Sequence, residues 1–136
     1  MNLTLNRTDH AFGMSVTNEK GLRIHMDVGP DLGGNDSGMR PMEVLAGSLA
    51  GCISVDVILI LRKQRIELTH YLVTVQASRV EGVPAPFERI HLVFEFSKTV
   101  ERSKAERAVT LAKDKYCSVS ASLNDSIRIS HELRFI

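Results

Sequence analysis

Residues 41–65 read PMEVLAGSLAGCISVDVILILRKQR, and this stretch predicts the main helix of the protein. Pro41 suits the first helical turn, because the N–H that proline lacks would have no partner there. Glu43 places a carboxylate near the positive end of the helix dipole. We expect the helix to begin near Pro41 and to end between Arg62 and Arg65.

The apolar residues of this helix point in nearly every direction, a distribution that a surface helix of a monomer would not tolerate. They are Val44, Leu45, Leu49, Ile53, Val55, Val57, Ile58, Ile60 and Leu61. A chain of 136 residues with few other helices has little of its own surface to cover them. The simplest source of the missing surface is a second copy, so we expect a homodimer.

A membrane partner is not expected from this segment. Glu43 and Asp56 restrict its uncharged portion to residues 44–55, which is shorter than the roughly 18 residues that indicate a membrane span. The first ten residues contain charged side chains and no apolar run of signal-peptide length, which favours a cytoplasmic location.

The rest of the chain alternates apolar and polar residues in the manner of strands with one buried face. Three such runs precede the helix, with Asn18 to Gly21 suited to a hairpin turn between the second and the third. Two more follow near residues 71–77 and 90–96, and one closes the chain at residues 127–135. A second helix is expected over 103–116, where Ser103 and Glu106 form a capping box, with a short helical piece at 118–124. The order βββ-α-ββ-α-β indicates an α+β fold.

Composition points to one domain over residues 1–136 and excludes one class of partner. The formal net charge is +1 and only 5% of residues are aromatic. A nucleic-acid-binding surface needs clustered basic residues, and a single-strand platform also needs aromatic ones. Nucleic acid is therefore not an expected partner.

Neither a metal site nor a nucleotide site is expected. The five histidines are scattered without the spacing of a metal-binding motif. The glycines of residues 29–40 match neither a dinucleotide fingerprint nor a P-loop. We expect no cofactor, although a loop of this length is typical of functional segments.

Cys52 and Cys117 are then the best candidates for chemistry. Free cysteines often pack as small buried hydrophobes, so a structural role must be considered first. Cys52, however, lies beside Gly47 and Gly51, which would let another element or a slim substrate approach its sulfur. Cys117 follows Lys115 and Tyr116 at a predicted helix end, where access is easier than in mid-helix.

Two motifs around these cysteines give the chain a family resemblance. Residues 41–52, PMEVLAGSLAGC, and residues 115–120, KYCSVS, resemble the OsmC/Ohr family of osmotically induced and organic hydroperoxide resistance proteins. The resemblance covers nearly the whole chain, and it is closest to the YhfA-type branch. It implies an OsmC-like fold with a long buried central helix, in an intertwined homodimer.

The resemblance also implies a thiol peroxidase without a bound cofactor. Cys52 would attack a small organic hydroperoxide or hydrogen peroxide and become a sulfenic acid, with which Cys117 would condense to a disulfide. An external dithiol, carried by a lipoyl-bearing protein in the best-known members, would restore both thiols.

The supporting residues of this site stay open. The family peroxidases carry a Glu directly after the proline, but Met42 stands there and the carboxylate is Glu43, about 100° further around the helix. Their activating Arg comes from the N-terminal region, where Arg7, Arg23 and Arg40 are candidates. Placement at a helix start alone could equally explain Glu43, and Arg40 could be a solvated loop residue.

Three hypotheses follow from these residues. The first is a hydroperoxide reductase with Cys52 as the reactive thiol and Cys117 as the resolving one. The second, favoured by Met42, is a noncatalytic OsmC-like dimer that binds a small apolar or thiol-containing ligand. The third treats both cysteines as inert core residues.

Overall fold

The computed structural model describes residues 1–136, which divide into two compact units, residues 1–45 and 46–136. The order of the elements is the predicted one, and the α+β expectation is confirmed. The helix that begins at Pro41 runs through the boundary between the two units, which are described separately below.

The first unit is built on a three-stranded antiparallel sheet of β1 (Leu3–Arg7), β2 (Met14–Asn18) and β3 (Arg23–Met26). The hairpin between β2 and β3 is confirmed, and Gly21 supplies the positive φ of 80° that its turn requires. The predicted burial of one face is wrong for the single chain, because the apolar side chains of β1 and β3 remain exposed. Leu3, Leu5 and Ile24 are 58%, 55% and 49% exposed.

The loop after β3 is held by a buried carboxylate. Asp27 is fully buried, and its two carboxylate oxygens accept hydrogen bonds from the backbone N–H groups of Val28, Asn35 and Ser37. The Ser37 hydroxyl donates a further one at 2.7 Å. A single 3-10 turn, Pro30–Leu32, lies inside this loop. The hydrogen bonds draw both ends of residues 28–37 toward one buried group.

The second unit contains the sheet of β4 (Tyr71–Arg79), β5 (Phe87–Phe96) and β6 (Arg128–Phe135). β4 and β5 pair in antiparallel fashion, whereas β5 and β6 pair in parallel. Parallel strands need a crossover, which here consists of the segment between Phe96 and Arg128. That crossover carries Cys117.

The main helix, α1 (Pro41–Lys63), begins at the predicted residue. Its buried side chains follow helical spacing along one side: Ala46, Leu49, Ala50, Ile53, Val57 and Leu61. The single chain leaves the other side of the helix uncovered, as expected from its apolar residues, because Val55 and Leu59 are 59% and 44% exposed. Residues spaced by three and four share one face of a helix, and only that face contributes to this core.

In length and composition, α1 would also suffice to cross a membrane, since an 18-residue window has a mean hydropathy of 2.3. Core helices of soluble proteins satisfy the same criterion. Within the chain, 28% of this window is buried.

The crossover contains α2 (Arg102–Leu111), a π-helical turn (Ala112–Tyr116) and α3 (Ser118–Ser122). The predicted helix over 103–116 and the short piece after it are thus found, but the predicted capping box is wrong. Glu101 precedes the helix, and Ser103 lies within it and donates its hydroxyl hydrogen to the Glu101 carboxylate. The carboxylate two residues before Ser103 occupies the hydroxyl that would have capped the helix.

Candidate functional site

The structure brings Cys52 and Cys117 together. Cys52 lies on α1 and is half-buried, whereas Cys117 lies at the end of the π-helical turn and is only 4% exposed. The two side chains are close enough to interact directly, and both are free thiols. Residues far apart in the sequence therefore form a pair of thiols that differ in their access to solvent.

The π-helical turn fixes the position of Cys117. The Cys117 N–H donates to the carbonyl of Ala112 at 2.9 Å, which closes the wider turn that follows α2. Cys117 itself is extended, with φ −67° and ψ 106°, and its Sγ accepts the N–H of Ser120 at 3.3 Å. π-helical turns inside helices are found frequently at functional sites.

Burial governs the acidity of Cys117. Loss of solvent around the sulfur raises the pKa of Cys117 from 9.0 to about 11, and the neighbouring Cys52 acts in the same direction. The backbone N–H groups of Ser120 and Val119 favour the thiolate but do not outweigh the burial. At neutral pH, Cys117 is therefore a protonated thiol.

Two hydroxyl groups fasten the turn of α1 that carries Cys52. The Ser54 hydroxyl donates to the Ala50 carbonyl at 2.7 Å, and the Tyr71 hydroxyl donates to Ser54 Oγ at 2.9 Å. Burial raises the pKa of Tyr71 to about 12, so the phenol keeps its proton at neutral pH. The first bond lies across the helical turn that contains Cys52, and the second connects this turn to β4.

Neither Ser54 nor Tyr71 was predicted to belong to the site. Tyr71 lay only within the predicted strand of residues 71–77, and Ser54 only within the predicted main helix of residues 41–65. A serine inside such a helix, four residues after a carbonyl that it can reach, is the signal that could have found the first of them.

The glycines beside Cys52 leave room at the helix surface. A Cβ atom added at Gly47 or Gly51 would meet no other atom within 4 Å, apart from the local chain and the helix backbone. The expectation that a small molecule or another element could approach here agrees with this open space.

The proposed supporting residues lie in the first unit and are held by local contacts. Glu43 Oε2 accepts the Arg40 backbone N–H at 2.8 Å, and Arg40 Nη2 pairs with Asp36 Oδ1 at 2.6 Å. Asp36 raises the pKa of Arg40 through this contact. Arg7 donates to the carbonyls of residues 10 and 11. The Arg23 guanidinium, on exposed β3, makes no hydrogen bond or ion pair.

No group of three or more His, Cys, Asp or Glu side chains is arranged to hold a metal ion. The site consists of two thiols, an apolar helix face and neutral hydroxyl groups, and it offers sulfur chemistry without a charged ligand set.

The comparison with known families agrees with this arrangement. A family model described as OsmC-like protein matches residues 33–132, a range that includes both cysteines. The chain belongs to the OsmC-like family. The resemblance inferred from residues 41–52 and 115–120 is thereby confirmed.

Individual relatives extend the family match. Protein YhfA of Escherichia coli K12 is 31% identical over 102 residues, which cover 74% of this chain and 76% of that protein. A hypothetical protein from Aquifex aeolicus has a similar structure, with a TM-score of 0.80 and 29% identity over 99% of this chain and 96% of that one. An organic hydroperoxide resistance protein from Elizabethkingia anophelis shares the fold, with a TM-score of 0.74 and 18% identity over 100% and 97% of the two chains.

Proposed function

We propose that this OsmC-like protein is a thiol-dependent peroxidase that reduces organic hydroperoxides or hydrogen peroxide in oxidative stress defence. The observation that carries the proposal is the proximity of Cys52 and Cys117, two free thiols of unequal exposure. Family membership supports it, because similarly folded proteins include organic hydroperoxide resistance proteins.

In the proposed first step, the Cys52 thiolate attacks the terminal oxygen of the hydroperoxide. The O–O bond breaks, the sulfur is oxidised to a sulfenic acid, and the alkoxide leaves with a proton as an alcohol. Cys52 is assigned this step because it is the more exposed thiol and lies beside the open space at Gly47 and Gly51.

In the second step, Cys117 attacks the Cys52 sulfenic acid. A disulfide forms and water leaves, carrying the proton that Cys117 gives up. The raised pKa of Cys117 suits it to this later role, because a buried protonated thiol reacts slowly with solvent peroxide but lies next to the sulfenic acid once that forms. An external dithiol, such as a lipoyl-bearing protein, then reduces the disulfide by exchange and is itself oxidised.

We propose Arg23, Arg40 and Glu43 as supporting residues of this step, because a nearby cation favours the thiolate form of a cysteine. Of these, Arg23 has the only guanidinium without a protein partner, whereas Arg40 is paired with Asp36. We expect Arg23→Gln to slow the reaction of Cys52 with peroxide more than Arg40→Gln does. Stopped-flow measurement of each variant tests this order.

The proposal includes a homodimer of a single OsmC-like domain over residues 1–136, located in the cytoplasm. Exposed apolar side chains support the dimer: Val55 and Leu59 on α1, and Leu3, Leu5 and Ile24 on the first sheet, are each at least 44% exposed. Monomeric proteins rarely leave so many large apolar groups in water, and a second copy would cover them.

The test treats the fully reduced protein with one equivalent of cumene hydroperoxide, followed by intact mass and non-reducing peptide mapping. We expect a rapid loss of two hydrogens and a peptide linked through Cys52 and Cys117. In Cys117→Ser, a dimedone-trappable sulfenic acid should accumulate at Cys52, and Cys52→Ser should not react. If both thiols stay reduced after a long incubation, peroxide is not the substrate.

A second function, a noncatalytic dimer that binds a small apolar or thiol-containing ligand, is favoured by one observation. Glu43 and Arg40 contact each other, and Arg40 pairs with Asp36, so both are engaged locally rather than free to activate a thiol. This function predicts no fast-reacting thiol at neutral pH and no disulfide in the peroxide experiment. The same measurement therefore separates the two functions.

A further inference from the structure

A polar cluster lies on the face of the second sheet opposite its core. In the strand register, Gln76 of β4, His91 of β5 and Ser130 of β6 form one row across the sheet. Arg89 lies two residues before His91 on β5 and so shares its face. Ile90, between them, is fully buried on the other face. The four side chains line a depression of about 290 Å³.

These side chains present several hydrogen-bond donors, and one carboxylate borders them: Glu132 Oε2 lies 3.9 Å from His91 Nε2. His91 Nδ1 and Ser130 Oγ are 2.8 Å apart, which fixes the hydroxyl against the ring. The Gln76 amide and the Arg89 guanidinium have no protein partner. With the proton on Nδ1, His91 donates to Ser130 and leaves the hydroxyl hydrogen free for a ligand.

The charge arrangement around Arg89 favours an anion. Arg89 is directly opposite Arg128 of β6, and like charges opposite each other destabilise a strand pair. Arg128 Nη2 forms a salt bridge with Glu88 Oε1 at 2.9 Å, whereas Arg89 has no carboxylate partner. The carboxylate at the adjacent position on this face, Glu132, is shared between Arg134 at 2.8 Å and His91 at 3.9 Å, and it does not pair with Arg89. Arg89 is therefore left with a positive neighbour and no counter-charge.

We propose that Gln76, Arg89, His91 and Ser130 form a binding site for a tetrahedral oxyanion, phosphate or sulfate, either free or as the end group of a small molecule. Arg89 supplies two charge-assisted hydrogen bonds to such a group, and Ser130 and Gln76 each supply one more. The depression, of about 290 Å³ and open to solvent, has room for an anion of this size. The site uses neither cysteine, so it stands or falls independently of the proposed peroxidase activity.

The test is a titration of the isotope-labelled protein with inorganic phosphate at constant ionic strength, followed by amide and side-chain NMR shifts. We expect saturable shifts at Gln76, His91 and Ser130. Arg89→Gln should weaken phosphate binding by about fivefold or more, because a hydrogen bond to a charged group is lost. Ser130→Ala should weaken it less.

Lys98→Gln is the matched control, because it removes the same charge from an exposed side chain of the same unit that has no protein partner. It should leave phosphate affinity unchanged.

Sulfate and glycerol phosphate are titrated in two further experiments. Equal affinities for phosphate and glycerol phosphate indicate a free anion, and tighter binding of glycerol phosphate indicates an end group.

Two results would overturn the proposal. One is the absence of saturable shifts with all three anions. The other is equal weakening by Lys98→Gln and Arg89→Gln, which would reduce the effect to general electrostatic attraction. Thermal unfolding of each variant without anion confirms that the compared proteins are equally folded.

Discussion

Cys117 should be alkylated slowly by iodoacetamide, even when it is the only thiol of the chain. The perturbation is Cys52→Ser, which leaves Cys117 as the only thiol of the chain. Burial is the principal cause of its raised pKa and does not depend on the sulfur of Cys52. The slow reactivity of Cys117 should therefore survive the substitution.

The upper limit of the effect follows from the pKa of Cys117 in the natural protein, raised from 9.0 to about 11, because the variant lacks the raising contribution of Cys52. At pH 7 about 1% of an ordinary thiol with a pKa of 9.0 is ionised, against about 0.01% of Cys117, so thiolate is about a hundredfold scarcer. A more basic thiolate is also more nucleophilic. With a Brønsted slope of about 0.45, the rate constant of each thiolate is about eightfold higher, which offsets part of the loss. Alkylation of the variant should be slower by up to about tenfold from ionisation alone, and steric burial adds to this.

The assay follows alkylation by mass spectrometry from pH 7 to pH 11, with the urea-unfolded variant as the reference thiol. The native rate should rise about tenfold with each pH unit toward 11, while the unfolded rate should level off near pH 9. Equal native and unfolded rates at pH 7 would refute the assignment of Cys117 as a buried protonated thiol.

Further predictions concern folding and assembly. Tyr71→Phe removes a hydrogen bond and should lower the free energy of unfolding by about 1 kcal/mol in urea titrations, whereas Tyr116→Phe, at a side chain without a hydroxyl partner, should not. Asp27→Asn should expose residues 28–37 to limited proteolysis, because a carboxylate that holds both ends of the loop is lost. Hydrogen bonds to Asp27 lower its pKa from 3.8 to about 2, so its stabilising contribution is present above pH 4 and lost as the pH falls through 2. An acid titration of unfolding should show this loss in the natural protein and not in the variant. Val55→Glu should shift sedimentation toward the monomer, since it places a charge on the exposed side of α1, whereas Val80→Glu, in a loop, should leave the oligomeric state unchanged.

Local patterns explain how much of the fold could be predicted. Pro41 marks the start of α1 because its ring is compatible with helix only in the first turn, and the structure begins the helix there. Gly21 marks the hairpin because only glycine adopts its backbone conformation without strain. Alternating apolar residues predicted every strand, but alternation does not say whether the same chain or another one covers the apolar face. For this reason the exposure of the first sheet in the single chain was not predicted.

The candidate site depended on contacts that no local pattern encodes. Cys52 and Cys117 were paired by resemblance to a family, and their direct contact became visible only in the folded chain. Asp27 was not predicted to have any role, because burial of a carboxylate depends on backbone donors that lie eight and ten positions away in the sequence. The parallel pairing of β6 with β5 was likewise beyond reach, because the same alternation fits either strand direction.

The crossover between β5 and β6 also determines when the two thiols meet during folding. The parallel pairing joins strands separated by all of α2, the π-helical turn and α3, and such distant contacts form slowly. Until that pairing forms, the segment that carries Cys117 is not anchored at its far end. No contact between residues close in sequence then holds Cys117 near Cys52. In a newly made chain, Cys117 is therefore accessible to oxidants and to other chains until the crossover is anchored, and its burial in the folded chain ends that exposure.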